Sequence, residues 1–250
     1  ASSRSGGHSP ERPQTDHHTP PDDVGPDTHI PKENTMKLTI IGATGNVGSR
    51  ILSQALAAGH DVTVVARRPE VIAAAPNLSV IRGSATDSEA IAQAARGADA
   101  VVVAITGKPS DKSFMQTNLP GVIEGLKSAG APRLVLVSAF GAGDTAGKAS
   151  WYMRFVYRHL LGGFMADKDA SDGLLQASGL PWTILYPVNL KDAAATNAAV
   201  SLSLDRVAKV PGLPTLPFDD AAAQILAAAE NPDTRGQRLL VTTERGFRRA

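Results

Sequence analysis

The run Leu38-Thr39-Ile40-Ile41-Gly42-Ala43-Thr44-Gly45-Asn46-Val47-Gly48 decides the fold. Its first four residues are apolar or β-branched and read as a strand buried on both faces. Glycine then recurs at every third position, and beyond it Val47, Ile51, Leu52, Ala55 and Leu56 fall on one side of a helix. Strand, glycine turn and helix in that order open a βαβ unit of the kind that cradles a pyrophosphate. Gly42 permits the turn off the strand, Gly45 lets backbone approach the phosphates, and Gly48 lets helix and sheet pack closely. Unpaired N–H groups at the helix start face the anion.

Working outward, short β-branched runs alternate with longer Ala/Leu-rich segments. Strands are expected near Leu38–Ile41, Val62–Ala66, Ser79–Ile81, Ala100–Ala104, Leu134–Val137, Thr183–Leu185 and Leu239–Val241. Helices are expected over Val47–Ala58, Ser88–Ala95, Phe114–Ala129, Lys168–Ser178 and Ala221–Glu230. Gly59, Gly97, Gly130 and Gly179 stand where helix C-caps belong. This is the pattern of an α/β, Rossmann-type, doubly wound parallel sheet. The segment Ala193–Leu216, with Pro211 and Pro214, is expected to be irregular.

The second strand ends at Ala66-Arg67-Arg68-Pro69, about 20 residues past the glycines, where such folds read the adenine ribose. An acidic residue there selects NAD(H), whereas a 2′-phosphate needs a cation. Arg67 and Arg68 therefore favour NADP(H) over NAD(H). Asp61 comes too early, at the strand start, to act as the ribose acid.

Composition narrows the rest. The 250 residues are 42% hydrophobic, carry a formal net charge of +1 and contain no cysteine. That excludes disulfides and thiol chemistry, and leaves no long-range field for nucleic acid or an acidic membrane surface. No apolar run is long enough to span a bilayer, so a soluble, cytoplasmic protein is expected. Residues 1–35 are rich in Pro, Asp, Ser, Thr and His and are expected to form a disordered tail. Its His8, His17, His18 and His29 are too irregularly spaced to read as a metal tract, and no metal site is expected elsewhere. Residues 36–250 form the folded domain.

Several motifs resemble the atypical short-chain dehydrogenase/reductases, specifically the NAD(P)H-binding set that includes biliverdin reductase B/flavin reductase and NmrA-like proteins. They are Gly-Ala-Thr-Gly-x-x-Gly at 42–48, Arg67, Gly97-Ala98-Asp99-Ala100-Val101-Val102, Leu136-Val137-Ser138-Ala139-Phe140-Gly141 and Ser178-Gly179-Leu180-Pro181-Trp182-Thr183. The resemblance runs from about Met36 to Thr243. It implies a nicotinamide cofactor and a small C-terminal substrate lobe from about residue 187. It also implies pyrophosphate contacts from Thr44, Asn46 and Val47 beside the glycines. Ala104, Ile105 and Thr106 would line the nicotinamide ribose, Ser138 would face the nicotinamide, and Pro187 would back its carboxamide. Two departures stand out: Gly83-Ser84 replaces the Gly-Asp common in relatives, and no Tyr-x-x-x-Lys pair is present.

Ser138 and Lys168 are the catalytic candidates. Ser138 ends a strand at the sheet's carboxyl edge, placed either to donate to a substrate carbonyl or to close a turn. Lys168 matches a lysine that serves NmrA-like and isoflavone-reductase-like relatives as proton donor or cofactor ligand. Asp172, four residues on, offers it a salt bridge on the same helix face. Ser150–Phe164, with Trp151, Phe155 and His159 at helical spacing, reads either as a lid over a planar acceptor or as core. The expected function is an NADPH-dependent reductase passing a hydride to a small planar acceptor such as a quinone, flavin or tetrapyrrole. The alternative is a non-catalytic, NmrA-like NADP(H) sensor that binds a partner protein. A monomer or homodimer with a small-molecule substrate is expected.

Overall fold

The computed structural model describes Ser2, residues 35–130 and residues 132–250. The chain divides into two units, Ala1–Pro31 and Lys32–Ala250. Ser2 apart, the first unit lies outside the described residues, and with it the expected disordered tail and its four histidines.

The β-branched runs all become strands. They are β1 (Lys37–Ile41), β2 (Asp61–Ala66), β3 (Leu78–Arg82), β4 (Ala100–Val103), β5 (Arg133–Val137) and β6 (Trp182–Pro187). Later come β7 (Asn189–Lys191), β8 (Ala199–Ser203), β9 (Val207–Lys209), β10 (Thr215–Pro217), β11 (Gln237–Thr243) and β12 (Arg248–Arg249). Helices are α1 (Asn46–Ala57), α2 (Ser88–Ala95), α3 (Phe114–Ser128), α4 (Trp151–His159), α5 (Gly162–Gln176) and α6 (Phe218–Glu230). Gly59, Gly97, Gly130 and Gly179 take positive φ of 88°, 73°, 96° and 78°, as C-capping glycines do.

Eight strands form one sheet in the order β3-β2-β1-β4-β5-β6-β11-β8. All pairs are parallel except β11 with β8. Every residue of β4 and β5 is buried, which a sheet achieves only when helices cover both faces. One set of packed helices is α1 with α6, and the other runs α2, α3, α5. From β1 the chain winds outward to β3, then returns to add β4 on β1's other side. That reversal opens a crevice at the carboxyl ends of β1 and β4, the usual ligand position in open α/β sheets.

Beyond Pro187 the chain divides its residues between the main sheet and two small sheets, β10-β7 and β12-β9. The segment expected to be irregular instead supplies β8, whose Ala199–Ser203 pairs antiparallel with Thr243–Leu239 of β11. Five residues of modest strand propensity need that ready-made edge to become a strand. Lys168 also moves: α5 begins six residues earlier than the sequence suggests, so the lysine sits mid-helix and owes nothing to a helix N-terminus.

Candidate active site

At the β1–α1 junction the glycines do separate jobs. Gly42 has φ +100°, and a Cβ there would lie 2.4 Å from the Ala104 carbonyl oxygen. A Cβ on Gly48 would lie 2.1 Å from the Gly42 carbonyl oxygen, so helix and strand pack backbone to backbone. Gly45 has an ordinary φ of −84° and is exposed, with its N–H given to the Gly42 oxygen at 3.0 Å. The first hydrogen bond of α1 starts at Ser49; the N–H groups of Asn46, Val47 and Gly48 find no acceptor among the described residues. No acidic side chain occupies the first turn. This bare, glycine-floored helix start fits a phosphate anion.

The loop floors a cavity of about 710 Å³, within the range of small-molecule sites. Gly42, Thr44, Gly45, Asn46 and Val47 line it from β1–α1, and Arg67 from the end of β2. Ala104, Ile105 and Thr106 line it after β4, while Ser138 and Pro187 do so after β5 and at the end of β6. Lys168 enters from α5. Of the sequence-predicted residues, Gly48 and Arg68 stay off the wall: Gly48 is buried beneath the loop, and Arg68 is exposed at the next position beyond Arg67. Among the described residues the Arg67 guanidinium has no hydrogen-bond or ion-pair partner, which leaves it available to an anion. Past Gly83, the wall continues with the neutral Ser84, Ala85 and Thr86.

Behind Ser138 lies a buried polar cluster that the sequence shows only in part. Ser138 Oγ donates to Asp172 Oδ2 at 2.9 Å, across 34 residues of chain. Ser138 therefore makes no turn bond with its hydroxyl. Lys168, 2% exposed, directs Nζ at the carbonyl oxygens of Ile105 (3.3 Å) and Val137 (3.4 Å). The expected Lys168–Asp172 salt bridge does not form: Nζ turns to the Ile105 and Val137 carbonyls, and the carboxylate takes the Ser138 hydroxyl. Burial pushes the Lys168 ammonium down to about 8, partly opposed by Asp172 and Asp167. Burial likewise pushes the Asp172 carboxyl up to about 6, against the Ser138 hydrogen bond, Tyr186, Lys168 and Arg238.

The helix that carries both groups is tied down by its own Asp167. Ser113 opens α3 without a side-chain cap, and Asp167 supplies the missing acceptor, taking the N–H groups of Met115 at 2.8 Å and Gln116 at 3.0 Å. Two helices thus become one support for Lys168. One turn before Lys168, Phe164 joins Phe114 and Phe218 on the cavity wall, a lining suited to a flat ring.

Of the stretch Ser150–Phe164, only Phe164 lines this cavity, and no residue of α4 does. Met153 and Tyr157 face the core, while Trp151 (81% exposed) and Phe155 (59%) border a separate hollow with His159 and Gly141. Neither expectation for the stretch describes it whole. Among the described residues no group of His, Cys, Asp or Glu has metal-binding geometry, and no helix is long and apolar enough to cross a membrane.

A family model described as NAD(P)H-binding matches residues 42–232. The Bacillus subtilis protein named uncharacterized sugar epimerase YhfK is 28% identical over 215 residues, 81% of this chain and 92% of its own length. A bifunctional pinoresinol-lariciresinol reductase 2 of Linum usitatissimum is 30% identical over 118 residues, only 34% of its own length. Among solved structures, ChuY of Escherichia coli O157:H7, described as an anaerobillin reductase, superposes with a TM-score of 0.65 at 26% identity. That match covers 84% of this chain and 98% of ChuY.

Proposed function

The chain belongs to the NAD(P)H-binding family, and from that premise we propose that it is an NADPH-dependent reductase of a small planar acceptor. The observation that carries this reading is the convergence, in one 710 Å³ cleft, of a bare phosphate loop, an unpaired Arg67 and the buried pair Ser138 and Lys168. Gly42, Thr44, Gly45, Asn46 and Val47 would hold the pyrophosphate, and Arg67 the 2′-phosphate, with Arg68 adding charge beside it. Ala104, Ile105 and Thr106 would border the nicotinamide ribose, with Pro187 behind the carboxamide. When bound, the coenzyme supplies a hydride, which leaves the protein to position the acceptor and manage one proton. Ser138 reaches the cleft with a hydroxyl, and Lys168 supplies a buried cation beside it.

Reductase names among the relatives support this chemistry. The epimerase name of YhfK is not carried over, because transient oxidation of a sugar calls for a tyrosine base with a lysine four residues on. Neither Tyr152 nor Tyr157 has one. A pure sensor would need the phosphate loop but gains nothing from a buried lysine and a buried carboxyl behind the nicotinamide position, where each costs stability.

The test is calorimetric titration with NADPH and NADH, followed by turnover with quinones, flavins, azo dyes and a linear tetrapyrrole. Tighter NADPH binding and turnover with at least one acceptor are expected. Equal affinity for both coenzymes would overturn the role of Arg67, and tight binding without turnover would favour the sensor.

A further inference from the structure

Ser138 borders the cleft, whereas Asp172 does not: it is 3% exposed and reaches the cavity only through the serine hydroxyl. A hydroxyl has one proton to give. When Asp172 is ionised, that proton is committed to Oδ2, and Ser138 presents only lone pairs to the cleft. When Asp172 is protonated, it becomes the donor, and the serine O–H is free to turn toward a substrate oxygen. The second carboxylate oxygen, Oδ1, is buried with no hydrogen-bond partner among the described residues, an arrangement that favours the neutral acid.

We propose that Asp172 is the positioning residue for Ser138, switching it from hydrogen-bond acceptor to proton donor when Asp172 itself is protonated. This rests on the reductase reading above. The acceptor takes the hydride, with its two electrons, from NADPH, and the oxygen that becomes negative takes the Ser138 proton. Ser138 takes the Asp172 proton, Asp172 is left as carboxylate, and after product leaves a solvent proton returns to it through the Ser138 hydroxyl. The coenzyme leaves oxidised and the acceptor has gained one hydride and one proton.

The surroundings of the carboxyl decide whether it can be neutral. From α5 come Lys168, whose Nζ turns to two carbonyls, and Asp167, whose charge is spent on the start of α3. From β6 comes Tyr186, whose hydroxyl favours the carboxylate form as a donor lying just outside ordinary hydrogen-bond geometry. From β11 comes Arg238, which donates to the Tyr186 oxygen at 3.1 Å but is paired bidentately with Asp144, one bond measuring 3.0 Å. Both cations nearest Asp172 are thus occupied elsewhere, and desolvation prevails over them.

The first test needs no coenzyme: titration of the Asp172 carboxyl by carbon-detected NMR in the free protein. A midpoint near 6 is expected, and Ser138→Ala should shift it upward by removing a hydrogen bond to the charged form. A midpoint in the ordinary carboxylate range, or one indifferent to Ser138→Ala, overturns the proposal. In turnover, kcat with a quinone should fall about tenfold per pH unit above 6, as the protonated fraction does. Asp172→Asn, whose amide always offers a hydrogen bond to Ser138 but gives up no proton, should lower kcat and flatten that limb while leaving the NADPH Kd within about threefold, well under the tenfold that 1.4 kcal/mol represents. A variant that keeps the wild-type slope refutes the switch. Failure of wild-type NADPH binding would sink the reductase reading instead, and the NMR titration would still decide the Ser138–Asp172 coupling.

Discussion

Two one-methyl changes in the phosphate loop should separate its structural duty from its ligand duty. A Cβ at position 48 would sit 2.1 Å from the Gly42 carbonyl oxygen, 2.7 Å from its carbon and 3.2 Å from Ala43 Cα. Carbon and oxygen ordinarily approach to about 3.3–3.6 Å, so Gly48→Ala demands roughly 1 Å of movement from buried backbone. Overpacking of this kind costs about 1–3 kcal/mol, and a domain of this size loses roughly 2–4 °C of Tm per kcal/mol. The expected drop is therefore ~2–12 °C. At position 45 the same methyl meets the Gly42 oxygen at 3.4 Å and the Ala104 oxygen at 4.0 Å, and φ is one that alanine adopts freely. Alanine is a poorer N-cap than glycine but loses less entropy on folding, so Tm should hold within ~2 °C. Its methyl, however, projects from the exposed loop where the pyrophosphate would lie. Losing one charge-assisted N–H contact costs about 1.5–3 kcal/mol, a weakening of NADPH binding by roughly 10- to 100-fold. Thermal unfolding without coenzyme and calorimetric titration with NADPH measure the two effects. Wild-type affinity in Gly45→Ala would show that the loop does not face the coenzyme, and an unchanged Tm in Gly48→Ala would contradict the packing.

Arg67→Glu should weaken NADPH about tenfold or more and leave NADH unchanged, since only the former carries the 2′-phosphate; this is a modest loss because the arginine is exposed. Equal losses for both coenzymes would count against that contact. Asp167→Ala strips the acceptor from two N–H groups of α3, at about 1–3 kcal/mol per orphaned buried donor; Tm should fall by ~5 °C or more and amide exchange at Met115 should quicken. Unchanged exchange there would refute the cap. Lys168 titrates near 8 when folded and near 10.5 when free, so the unfolded chain binds more protons between those values and stability rises with pH across that window. Below pH 8 the full cost, about 3 kcal/mol, is carried; Lys168→Met removes it, and its stability advantage over wild type should shrink from pH 8 to 10.5. A pH-independent difference would show that the ammonium is not desolvated.

Local chemistry made most of the fold legible. Strands β1, β2, β4 and β5 are β-branched runs with no competing pattern, and each glycine set down as a helix end does take positive φ. The errors fall where local preference and tertiary packing disagree. Gly162-Gly163 and a leucine N-cap give α5 a weak start by propensity, yet Met165 and Asp167 are buried on it, and that packing extends the helix backward. Strand β8 alternates too briefly to declare itself and exists because β11 offers an open edge.

At the site, the divide between legible and hidden follows sequence separation. The phosphate loop and Arg67 are local devices, and Ser138 could be placed from the strand it ends. What Ser138 and Lys168 touch could not be placed, because those partners lie 34 and 63 residues away along the chain. Helical spacing alone joined Lys168 to Asp172, since charges four apart on an exposed helix face attract each other. Burial reverses that inference. In a dry interior each group must satisfy its own hydrogen-bonding capacity, and the nearest free oxygens and hydroxyls belong to strand ends, not to the neighbouring turn. The sheet edge therefore separates the pair and gives the lysine to two carbonyls and the carboxylate to a serine. A spacing rule calibrated on solvated helices could not have anticipated that division.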